Sequence, residues 1–174
     1  MNEPQTPRWK IRRIVYYALL TAVAIVLSAA ESMLPIPAPA AGVKLGLANI
    51  VALVILLDDK NPAPALAVTA IRCALTAFVS GTLSSLIFSF AGGISSCMTM
   101  WLLLHFNYTF STVGASVAGA LSHNIAQLAA ASAIAHNFAI LGYLPILIIS
   151  GIAAGCAIGF ISLRVHKILK TIIK

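Results

Sequence analysis

Residues 14–34 read IVYYALLTAVAIVLSAAESML, an unbroken apolar run that holds one carboxylate, Glu31, and no basic residue. A helix needs about 20 such residues to cross the hydrocarbon of a bilayer. The run follows a basic start at Arg8, Lys10, Arg12 and Arg13. It is longer than the apolar core of a cleavable signal peptide, about 7–15 residues, and reads as a retained first helix.

The rest of the chain has the same character. Hydrophobic residues make up 60% of the 174 positions and charged residues 9%, where a soluble domain carries about a quarter charged. So few charges cannot cover a water-facing surface. The expectation is an all-α integral membrane protein, a single domain over residues 1–174 with a tail at 1–10. Helices are predicted over residues 11–33, 43–57, 64–80, 86–105, 113–136 and 144–170. Pro35, Pro37 and Pro39 end the first helix, because proline cannot continue one. The second helix is too short to cross, and the stretch from Pro35 to Lys44 is expected to fold into the protein as a lid over a cavity. Gly92-Gly93 reads as a weak point of the fourth helix.

Charge placement sets the expected topology. Nine of the eleven Lys and Arg residues sit near the two ends or at Lys60, where the positive-inside rule keeps cations in the cytoplasm. Six spans with both termini cytoplasmic satisfy this distribution, placing the protein as a multi-pass component of the cell membrane. The net charge of +7 does not indicate nucleic acid, since no basic stripe with interleaved aromatics occurs. Cys73, Cys97 and Cys156 lack CxxC pairing, and no histidine pair has metal-ligand spacing, so no metal is expected.

Two cations lie away from the clusters, Lys44 and Arg72. A charge at mid-bilayer costs at least about 2.5–3.5 kcal/mol and faces the interior or a cavity. Arg72 needs a partner, and Glu31 is the acid nearest the outer half. The residues leave open whether Glu31 or a bound anion fills that role. Either way Lys44 leaves a surplus positive charge that an anionic ligand would neutralise. Ser122, His123, Asn124 and Gln127 form a polar group in an Ala-rich helix, with His123 and Gln127 on one face. Asn49 is expected near the same level. His105, His136 and His166 fall at span ends, where interfacial roles are expected. Gly151, Gly155 and Gly159 form a double GxxxG row suited to packing inside the bundle, and Gly114 with Ala118 a weaker one. No Walker A loop, no intramembrane carboxylate pair and no G-x-S-x-G motif occurs, so the chain reads as a non-enzyme without cofactor.

Gly42-Val-Lys-Leu-Gly-Leu-Ala-Asn-Ile-Val51, the lone Arg72, Ser122-His-Asn-Ile-Ala-Gln127 and Leu144-Pro145 with Ser150-Gly151 resemble the Gx transporter family, also labelled heptaprenyl diphosphate synthase component I. The resemblance extends over residues 14–165. Its members look like the substrate-binding S components of energy-coupling factor importers. The resemblance implies a six-helix membrane protein with an outward-facing site, paired with a transmembrane coupling protein and two cytoplasmic ATPases that consume the ATP. Ala18 and Ala22 match the Ala-x-x-x-Ala pattern by which S components dock the coupling protein. The expected ligand is a small, anionic and partly apolar nutrient or isoprenoid- or quinone-related precursor. Lys44 and Arg72 would hold its acidic group, Asn49, His123, Asn124 and Gln127 would orient it, and Glu31 would tune Arg72. The alternative is a non-catalytic accessory subunit of heptaprenyl diphosphate synthesis, since Asp58-Asp59 alone cannot supply the two Asp-rich magnesium motifs of a prenyl synthase.

Overall fold

The computed structural model describes residues 7–33, 46–80, 83–106 and 110–172. Every regular element among them is helical: α1 (Pro7–Ser32), α2 (Asn49–Asp58), α3 (Ala63–Ser80), α4 (Leu83–Phe106), α5 (Thr112–Ala135) and α6 (Leu144–Ile172), with a 3₁₀ helix over Phe138–Tyr143. The lid expected over Pro35–Lys44 lies outside the described residues.

Local chemistry sets the boundaries. Helix α1 begins at Pro7, inside the stretch read as a tail, because proline suits a first turn whose N–H groups have no helical partner. The second helix starts later than expected: Gly46 takes a φ of +87°, and the bonds from Asn49 N to Gly46 O and Ile50 N to Leu47 O form a tight lead-in. Between α2 and α3, Asp59 Oδ1 accepts from Asn61 N and Asn61 Oδ1 from Ala63 N. Ser111 caps α5 by accepting from Gly114 N. At the other end His136 adopts a left-handed conformation, φ 48°, which stops the helix. Helix α4 runs unbroken through Gly92-Gly93, so the glycine pair is not a break but a place of close approach.

Helices α1, α3, α4, α5 and α6 pack in that order, each against the next except α6 against α1, and α2 lies among them in contact with α1, α3, α4 and α6. Leu53, Ile55 and Leu56 of α2 are fully buried. At about 15 Å, α2 is half the hydrocarbon thickness and serves as a central peg. Among the described residues, three helical segments are long and apolar enough to cross a membrane: Arg8–Glu31, Leu83–Phe106 and Phe138–Thr171. The outward faces carry Ile14, Leu19, Val26, Phe78, Ile149 and Phe160, an apolar perimeter that only lipid covers well. The chain is a membrane protein.

In lipid no hydrophobic drive separates helix from helix surface, so close packing supplies the association. The α6 glycine row supplies it here. A Cβ placed on Gly155 would stand 2.6 Å from Val117 Cα, and one on Gly159 2.9 Å from Val113 Cα. The row therefore packs on α5 within the bundle. The weaker Gly114/Ala118 row does not provide the matching surface; Val113, Val117 and Ala120 do.

A polar clasp closes the end of the bundle at the α2–α3 turn. Asp59 pairs with Arg13 of α1. Tyr16 OH donates to Asp58 Oδ2 at 2.9 Å, and His166 Nδ1 of α6 lies 3.1 Å from Asp58 Oδ1. Trp101 Nε1 of α4 donates to Lys60 O at 2.8 Å. His105 and His136 also fall at helix ends, His105 Nδ1 standing 3.0 Å from Trp101 O.

Candidate ligand site at the start of α2

The opposite end of α2 gathers the polar residues of the bundle interior. Asn49 on α2 and Arg72 on α3 each stand about 13 Å along their helices from the α2–α3 turn, so the antiparallel connection sets them at one level. Glu31, Asn49, Arg72, His123 and Gln127 are 3%, 3%, 4%, 1% and 0% exposed. Such burial places these ionisable and amide groups inside the apolar bundle rather than on its surface.

Glu31 occupies the lead-in to α2. Its Oε1 accepts from Gly46 N at 2.7 Å and its Oε2 from Leu47 N at 3.1 Å. A carboxylate there meets free N–H groups and the positive end of the helix dipole together. Asn49 Nδ2 donates to Ser96 Oγ of α4 at 3.0 Å and lies 3.4 Å from His123 Nδ1 of α5.

The two α4 glycines bring the neighbouring helices in from both sides. A Cβ on Gly92 would lie 2.7 Å from Gln127 Cγ and 2.8 Å from His123 Cε1. One on Gly93 would lie 2.8 Å from Thr69 Cγ2 and 2.9 Å from Arg72 Nη2. Arg72 therefore reaches across the α3–α4 seam, while His123 and Gln127 reach across the α4–α5 seam. Arg72 Nη2 is buried without a hydrogen-bond partner among the described residues. Leaving a buried donor unmatched costs about 1–3 kcal/mol, more when it is charged.

The structure brings Asn49, Arg72, His123 and Gln127 around the Gly92-Gly93 step, with Glu31 joined through Gly46 and the α2 lead-in. Asn124 is turned elsewhere. Its Nδ2 donates to Leu147 O of α6 at 2.7 Å, and it packs on Gly151, so it ties α5 to α6. Lys44 lies outside the described residues. Ala18 and Ala22 are exposed on the outer face of α1. Ser96 is the member that the sequence reading missed. Helix α4 has several serines, and the only signal was that Ser96 follows Gly92 by one helical turn.

The grouping offers one guanidinium, neutral hydrogen-bonding amides, an imidazole and a hydroxyl. It can hold and orient an anionic or acceptor-rich molecule. Among the described residues no group of three His, Cys, Asp or Glu side chains could hold a metal ion.

A profile of the heptaprenyl diphosphate synthase component I family matches residues 20–165. The chain belongs to that family. The matched stretch includes Glu31, Asn49, Arg72, Ser96, His123 and Gln127, so the buried polar grouping lies within it. No curated protein and no solved structure matches the chain.

Proposed function

We propose that the chain is the substrate-binding component of an energy-coupling factor importer. It captures a small, anionic and partly apolar nutrient or isoprenoid-related precursor from outside the cell. In this reading the six helices all lie in the cell membrane with both termini cytoplasmic. The observation that carries it is the buried Arg72, whose Nη2 has no hydrogen-bond partner among the described residues and meets α4 at Gly93, one residue from Gly92, where His123 and Gln127 pack. A ligand oxyanion on Arg72 would match that donor, and Lys44 would add the second positive charge. Asn49 and His123 would orient the molecule, Gln127 would pack behind it, and Glu31 would hold the α2 lead-in in place. The chain moves nothing by itself. A coupling protein docked on the exposed Ala18/Ala22 face, with two ATPases, would supply the work.

Native mass spectrometry of gently extracted protein tests this by looking for a co-purifying small molecule. The natural chain retains an anionic ligand; Arg72→Ala and Lys44→Ala lose it. Retention undiminished in both variants overturns the assignment.

The family's description supports a second reading, a non-catalytic accessory subunit of heptaprenyl diphosphate synthesis. Affinity purification from native membranes separates the two. A coupling protein and ATPases recovered in stable ratio support import, and a prenyltransferase subunit in their place supports the accessory role.

A further inference from the structure

Both carboxylates at the α2–α3 turn are engaged within the protein, Asp59 by Arg13 and Asp58 by Tyr16, with His166 Nδ1 of α6 3.1 Å from Asp58 Oδ1. Among the described residues, the remaining cations of that end form no ion pair. Arg8, Lys10 and Arg12 of α1 are exposed, as are Lys60 in the turn and Arg164, Lys167 and Lys170 of α6. The clasp on Asp58 and Asp59 brings the α1 and α6 sets to either side of one turn, so they form a single field rather than two tails.

These cations share their helical turns with exposed apolar side chains. Ile11 and Ile14 are 60% and 67% exposed on α1, and Ile161 and Ile168 are 47% and 58% exposed on α6. Trp9 lies under the Arg13 guanidinium, 5.1 Å from its ring centroid, and Trp101 is tied to the turn. Basic, aromatic and apolar groups at one level form the pattern of a bilayer interface, where long basic side chains reach the headgroups and their stems lie in oil. A soluble acidic partner would match the charge but leave the interleaved isoleucines uncovered.

We propose that this end of the bundle is a binding surface for anionic phospholipid headgroups, seated on the α1 and α6 cations about the α2–α3 turn. It recognises phosphodiester charge and prefers phosphatidylglycerol to phosphatidylcholine. Each basic residue near an anionic surface is worth about fivefold in affinity, so a preference of several-fold survives even where only a few of the seven engage one lipid.

Both tryptophans of the chain stand at this end, so their fluorescence reports on it without any substitution. Full-length protein is reconstituted in phosphatidylcholine vesicles containing either chain-brominated phosphatidylglycerol or chain-brominated phosphatidylcholine at equal mole fraction. Bromine quenches tryptophan only in contact. The expected result is several-fold stronger association of the phosphatidylglycerol at low salt. The preference falls toward equality near 1 M salt, where screening acts within about 3 Å. The combined Arg164→Gln, Lys167→Gln, Lys170→Gln variant shows a reduced preference, and Arg164→Lys keeps it. Should the triple variant fail to fold, the salt series on the natural chain still decides. Equal quenching by the two lipids at low salt overturns the proposal. A preference indifferent to salt also overturns it.

Discussion

Arg72 and Glu31 both sit in the oily part of the chain, yet they do different work. Glu31 satisfies two N–H groups at the start of α2, so its loss should be felt first as stability. Glu31→Gln keeps the shape but gives up the charge on those bonds, and charge-assisted bonds are worth about 1.5–3 kcal/mol. Thermal unfolding in detergent should show a clear drop in midpoint; an unchanged midpoint would remove the carboxylate from the α2 lead-in. For Arg72 the expectation is reversed. Arg72→Met removes a buried charge and keeps most of the volume, a change that is often neutral or stabilising for buried ionic groups. The same change should weaken binding of an anionic ligand by about 10–100-fold, the worth of one charge-assisted contact. A variant that unfolds more readily and still binds would make Arg72 structural. Both residues could be picked out from sequence, because a charge in an apolar run is visible without a structure. Their separate roles could not, since the hydrogen bonds of Glu31 are to backbone groups that carry no sequence signature.

Among the elements, the α5–α6 seam is set by glycines. Gly155→Val would drive a branched side chain into the Val117 backbone, which stands 2.6 Å from the position of an added Cβ. Overpacking of this kind costs about 1–3 kcal/mol or more. Gly142→Ala, which meets nothing within 4 Å, should be nearly silent. Unfolding in a graded denaturing detergent compares the pair, and equal effects would deny that the row packs on α5. Asn124 belongs to this seam as well. Asn124→Leu breaks its bond to Leu147 O and should cost about 0.6–1.7 kcal/mol, the range for interhelical hydrogen bonds in membranes. If the proposed role holds, ligand retention should survive that change, whereas Asn49→Leu, which removes the bond to Ser96 and the contact with His123, should abolish it. The GxxxG row was legible in the sequence as a packing surface, but its partner was not. Spacing shows which residues share a face of one helix, and nothing in it says which helix that face will meet.

Across the whole molecule, the bundle shows two distinct exteriors: an apolar perimeter and one strongly basic end. Ala18 and Ala22 lie on the perimeter, next to the exposed Leu19 and Val23. Ala18→Leu with Ala22→Leu should leave the fold intact, because neither side chain is buried against another helix. If the proposed import role holds, the same pair should lower recovery of the coupling protein in co-purification; undiminished recovery would move the docking face elsewhere. The amino-acid sequence alone was sufficient for residence in a membrane, for an all-helical fold among the described residues, and for a buried cation at Arg72. Those follow from hydropathy, from proline and polar turns, and from the cost of charge in oil, all of which act along the chain. Tertiary structure alone decided that α2 is a central peg, that Ser96 joins the polar grouping, that Gly92 and Gly93 seat two helices, and that Asn124 turns to α6. Lipid is as apolar as the packed interior, so hydropathy does not mark the inward face of these helices. Which face turns inward is settled by the shapes of neighbouring helices and by where polar groups find partners.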